Sequence, residues 1–98
     1  METKDAYREK IEAQLRKWGV KIDELEAKAE KTKADVKVKY IKKVEDLRSK
    51  KEETRARLKE LQGVADESWV TVKAGVEKAA SDLKTAIDNA ISKFKERS

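Results

Sequence analysis

The stretch YREKIEAQLRKWGVKIDELEAKAEKTKADV, residues 7–36, decides how the chain is read. Its larger apolar residues fall at Tyr7, Ile11, Leu15, Trp18, Ile22, Leu25, Ala29 and Val36, mostly three or four apart, so they share one stripe of an α-helix. With Leu15, Ile22, Ala29 and Val36 at heptad position a, position d is held by Ile11, Trp18, Leu25 and Thr32, and almost every residue between them is charged or Ala. A second register follows, with Val44, Lys51 and Leu58 at a and Leu47, Thr54 and Leu61 at d. It runs one residue out of step with the first, which places a phase slip around Tyr40. Lys51 and Thr54 interrupt this second seam with polar groups of the kind that set register at some cost in stability.

Five acid-to-base pairs at i,i+4 support the same segment: Glu12 with Arg16, Glu24 with Lys28, Asp35 with Lys39, Asp46 with Lys50 and Glu53 with Arg57. Val36-Lys37-Val38-Lys39-Tyr40 alternates with period two, yet it has neither flanking turn residues nor a second strand, so helix is the expected state. Punctuation is scarce, because Pro is absent and Gly occurs three times. Gly63 is suited to a left-handed helix end and Asp66 to a new helix cap. Continuation through Gly63 at a cost of ~1 kcal/mol is the other possibility. From Trp69 a broader apolar face begins, formed by Val72, Val76, Ala79, Ala80, Leu83, Ala86, Ile87, Ala90, Ile91 and Phe94.

The fold expected from this pattern is all-α, a single domain over residues 1–98. A long helix over about residues 4–62 is covered by a shorter one over about 66–96 in an antiparallel helical hairpin or coiled coil. At 1.5 Å per residue the first spans ~87 Å and the second ~46 Å, so half of the long arm would lie bare. Ile11, Leu15, Trp18, Ile22 and Leu25, with Trp69, then form a self-association seam, and a homo-oligomer is expected. An antiparallel dimer is favoured because a parallel one would oppose basic g and e positions.

Composition narrows the chemistry. Charged residues make up 46% of the chain and aromatics 5%, which leaves a thin seam rather than a large core. Without His or Cys there are no imidazole bases, thiolates, disulfides or zinc sites with N or S ligands. Acid pairs such as Asp23-Glu24, Glu52-Glu53 and Asp66-Glu67 diverge by ~100° on a helix and cannot converge on one atom. No catalytic, cofactor or metal residues are expected, and no small-molecule substrate. The first thirty residues carry frequent charges and no apolar run, which argues against a signal peptide, and no apolar run of ~20 residues occurs anywhere. A cytoplasmic protein is the default expectation.

Gln14-Leu15 ahead of Trp18, Ile22-Asp23-Glu24-Leu25, Ala27-Lys28-Ala29 and Lys33-Ala34-Asp35 resemble the pattern of a family of small bacterial coiled-coil proteins linked to stress response or lacking an assigned function. Trp69 ahead of Lys73-Ala74-Gly75-Val76-Glu77 is similar to the same family, so the resemblance covers most of the chain. It implies a helical hairpin or coiled coil without enzymatic activity, and it supplies no catalytic residues to carry over.

The net charge of +5 is concentrated between residues 36 and 62, where ten Lys or Arg face five acids. Lys43, Lys50 and Arg57 fall at g there, and Arg48 and Arg55 at e. These five are the candidate anion-binding residues, for nucleic acid or an anionic membrane, set against the plainer reading of a solvated helix face. Tyr40 is the band's one aromatic for base stacking, which weighs against nucleic acid. Trp18 and Trp69 read as core anchors before they read as a ligand platform. The face of the second helix fits an anionic bilayer, but its many Ala residues favour a partner helix. The leading functional expectation is a non-catalytic interaction or stress-associated protein, and the alternative is a binder of anionic surfaces.

Overall fold

The computed structural model describes residues 3–65 and 67–96, except for the side chain of residue 96. Three α-helices of nearly equal length account for most of them: α1 Lys4–Glu30, α2 Ala34–Glu60 and α3 Trp69–Glu96, of 27, 27 and 28 residues. The all-α class is as the heptads require. The single long helix is not: α1 and α2 are separated by a turn at Lys31-Thr32-Lys33, and α2 folds back along α1. Arg48 of α2 meets Asp23 and Glu26 of α1, and Lys37 meets Glu30, which fixes the pair as antiparallel. Tyr40 stacks on Phe94 with ring centroids 4.0 Å apart, so α3 in turn runs against α2. Tyr7 lies 5.9 Å from Trp69, so α1 and α3 run side by side. The result is an up-down-up bundle measuring 51 × 19 × 15 Å.

The turn forms without glycine, proline or any positive φ. Lys31 remains near the helical region (φ −91°, ψ −5°), and Lys33 swings to extended backbone (φ −63°, ψ 148°). The carbonyls at the end of α1 are satisfied locally. The N–H of Lys31 donates to Lys28 O and that of Thr32 to Ala29 O, and the Thr32 hydroxyl donates to Ala29 O at 2.7 Å. Thr32 therefore does not continue the seam at d; it closes α1. The phase slip expected at Tyr40 marks this change of helix, whereas Tyr40 itself is helical and buried.

The second boundary falls where Gly63 suggested, by a different route. A 3₁₀ turn, Leu61–Gly63, tightens the end of α2, and Val64 turns extended while its N–H donates to Leu61 O. No glycine adopts positive φ, so Gly63 does not act as a left-handed cap. The proposed cap Asp66 lies outside the described residues. Lys4 Nζ donates to Val64 O at 3.0 Å, pinning the start of α1 to this loop.

Fold-back removes the mismatch between an ~87 Å arm and an ~46 Å cover, since each helix is ~40 Å long. Tyr7, Ile11, Leu15, Trp18, Ile22, Leu25 and Ala29 are buried within one chain, in a single cluster with Tyr40, Val44, Leu47, Leu58 and Leu61 of the α2 segment and Val76, Leu83, Ile87 and Phe94 of α3. The uncovered arm from which a self-association seam was expected does not exist, because α2 and α3 both cover it. Trp69 is half-buried against this core. Thr54 is fully buried at its seam position and bonds its hydroxyl to Lys50 O, which satisfies the polar group without a partner helix.

Candidate anion-binding groove

Antiparallel packing of α1 and α2 sets residues 8–16 against residues 55–62. A groove of about 410 Å³ lies between them, lined by Arg8, Glu12, Leu15, Arg16, Arg55, Leu58, Lys59 and Gln62. Heptad geometry places Leu15 and Leu58 at its floor as part of the core, and the flanking positions supply the charge. Four bases face one acid. Arg8, Arg16, Lys59 and Glu12 enter no ion pair among the described residues, and Arg55 meets only the exposed Glu52, at 3.9 Å. Arg8 Nε is buried with no hydrogen-bond partner.

The five residues singled out by linear charge counting do not converge. Arg48 lies on the α1–α2 side, bound to Asp23 at 3.0 Å and Glu26 at 3.2 Å. The hydrogen bond to Asp23, partly opposed by burial and reinforced by Glu26, holds this guanidinium still more firmly protonated than an ordinary arginine. Arg48 thus clamps α1 to α2. Lys50 and Arg57 lie on the α2–α3 side, in a smaller groove with Glu53, Lys78 and Asp82, and pair with Asp46 and Glu53 at 3.9 and 3.6 Å. Lys43, one heptad before Lys50, shares that lane. Of the five, Arg55 alone lines the basic groove.

Arg8, Arg16 and Lys59 are the groove residues that the charge count missed. Residues 1–35 balance nine bases against nine acids, so nothing in that count marks Arg8 and Arg16, and Lys59 lies inside the basic band but at neither an e nor a g position. The acids segregate along the helix: Asp23, Glu26 and Glu30 pair with Arg48 and Lys37 at one end of the α1–α2 face, leaving the other end basic. Lys51 extends this end, its Nζ 3.5 Å from where a β-carbon on Gly19 would lie.

Elsewhere, no group of three or more acidic side chains among the described residues is placed to hold a metal ion. No helix among them is long and apolar enough to cross a membrane. The apolar face of α3 packs into the core, with Val76, Ala80, Leu83, Ile87, Ala90 and Phe94 buried. Comparison of the chain with protein-family models, curated proteins and solved structures returned no match.

Proposed function

We propose that the protein is a non-catalytic helical interaction module, stress-associated in the sense its sequence resemblance implies, whose partner is an anionic surface. The observation that carries this reading is the segregation of charge in the α1–α2 groove. Arg8, Arg16, Arg55 and Lys59 line it with Glu12 as the one acid in the lining. A bundle whose charges served only solubility would be expected to intersperse acids among these bases, as happens at Asp23, Glu26 and Arg48. No aromatic side chain lines the groove, so it suits phosphate or carboxylate contacts without base readout.

Binding to duplex DNA and to anionic and neutral vesicles, measured at ~50 and ~200 mM salt, tests the proposal, because polyanion contacts weaken steeply over that range. The expected result is salt-sensitive binding that the combined Arg8→Gln, Arg16→Gln and Lys59→Gln variant loses, while Lys43→Gln leaves it nearly intact. Absence of binding at the lower salt, or equal loss in both variants, would remove the groove from the account.

A further inference from the structure

The turn between α1 and α2 has less local support than the helices it joins. Lys31 is still near the helical region, and Lys33 is extended (φ −63°, ψ 148°) but gives α2 no side-chain cap. The N–H groups of Ala34 and Asp35 reach no backbone carbonyl among the described residues. A helix continued through the turn would pair them with the carbonyls of Glu30 and Lys31. Lys37 meets Glu30 across the turn at 3.0 Å, but both side chains are more than a third exposed, so this pair stabilises the fold-back little.

The two helices also share one face. Set on a single helix at 100° per residue, the buried residues of α1 and those of residues 40–61 centre within about 15° of each other. One rod over residues 4–60 would therefore carry the whole apolar stripe along one side. Nor does any core contact depend on α1 and α2 belonging to the same chain. If the turn straightens, α1 leaves its own α2 and α3 and settles on those of a second copy in the same antiparallel register, while the α1 of that copy takes its place. Trp18, Ile22 and Leu25 then regain the neighbours they lost, so core burial neither favours nor opposes the exchange. The balance is set by the turn against the continued helix, and by the ease of closing within one molecule. A three-residue link holds α1 at an effective concentration on the order of mM, so the folded-back monomer prevails below that.

We infer that two copies of the chain exchange α1 by straightening Lys31-Thr32-Lys33, giving a symmetric dimer whose continuous helices run antiparallel. The exchange goes beyond the reading of the anionic groove, which it rebuilds between copies: Arg8 and Arg16 of one meet Arg55 and Lys59 of the other. Twenty residues separate Glu12 from Thr32, so the two grooves stand ~60 Å apart on one rod. Exchange requires no anion, and it stands or falls separately from that reading.

The test is to hold the full chain at ~1 mM near its thermal midpoint, cool it, dilute it and read its mass by size-exclusion chromatography with light scattering. The wild type is expected to give a dimer that persists on dilution. Chains spin-labelled only at Glu9→Cys, mixed before heating with chains labelled only at Glu60→Cys, locate the exchange. Their dimer should show a short distance near the bundle's 19 Å width, which the unheated mixture lacks. Ala34→Pro places proline at the first position of α2 behind an extended residue, where the bundle accepts it and a continued helix does not. This variant should keep the monomer's midpoint and yield no dimer. Thr32→Leu extends the apolar stripe through the turn and removes the hydroxyl that closes α1 on Ala29 O, so it should raise the dimer fraction several-fold. No dimer from the wild type or no rise in Thr32→Leu would overturn the inference. So would an equal dimer or a lowered midpoint in Ala34→Pro, or a dimer lacking the short distance between differently labelled chains.

Discussion

Replacing Ile22 with Ala separates the fold-back bundle from a long-armed hairpin by its energetics. Ile22 is 0% exposed at the middle of the core face of α1. The substitution removes three carbon groups, worth ~2.4 kcal/mol of transfer free energy at ~0.8 kcal/mol each. The cavity left between three helices adds to this, for a total of ~3–4 kcal/mol, within the range of buried Ile-to-Ala changes. A domain of this size is stable by ~5–15 kcal/mol, so the loss is a large share of the whole and should lower the thermal midpoint by ~12–25 °C. Urea and thermal unfolding followed by circular dichroism, at protein concentrations spanning two decades, would measure it. The bundle requires the same cost at every concentration, since Ile22 is covered by its own chain. In a hairpin with a bare arm the residue would be exposed in the dilute monomer and nearly silent there. Val20, 58% exposed two residues earlier, is the control, and its change to Ala should stay within ~0.5 kcal/mol. A cost for Ile22→Ala below ~1 kcal/mol at high dilution, growing with concentration, would refute the reasoning.

Gly63→Ala should stabilise the protein by ~0.4–1 kcal/mol, because its φ is not positive and an added β-carbon meets nothing within 4 Å; a loss of stability in urea titration would mean that the end of α2 needs glycine after all. Arg48→Met should cost only ~0.2–1 kcal/mol despite its two acid partners, because Arg48 and both partners are more than a third exposed. Wild type and this variant should converge in stability as salt is raised, and a gap that persists at 1 M salt would contradict a screened ion pair.

The helical class and the core-facing residues were legible because amphipathic spacing is a local property. Tyr7, Ile11, Leu15, Trp18, Ile22, Leu25 and Ala29 are all buried whichever helix covers them. The turn was not legible, because Lys31-Thr32-Lys33 contains none of the residues that ordinarily break a helix. Its trace in the sequence is Thr32 standing at d where a large apolar residue would carry the seam onward, next to a shift of heptad phase. That pattern fits a register interruption in a long coiled coil equally well. Covering both seams within one chain is what selects the turn, and burial of that kind is not visible in a window of ten residues. The groove was half legible for a related reason. Counting charge along the chain found Arg55 but grouped it with Lys50 and Arg57, which point to another face, and it passed over Arg8, Arg16 and Lys59, which only antiparallel pairing brings together.

The central claim, that α2 folds back along α1 within one molecule, is tested most directly by a distance between residues 9 and 60. The chain has no cysteine, so Glu9→Cys/Glu60→Cys carries two spin labels and no others. Both positions are exposed, and their neighbours Arg8 and Lys59 line the same groove. Dipolar spectroscopy of the labelled protein, diluted with excess unlabelled chain to suppress contacts between molecules, should give one narrow distribution near the bundle's 19 Å width, broadened by the labels. A continuous helix would instead separate the two positions by ~77 Å, and a distribution at that length, or a short distance that vanishes on dilution with unlabelled chain, would contradict the account.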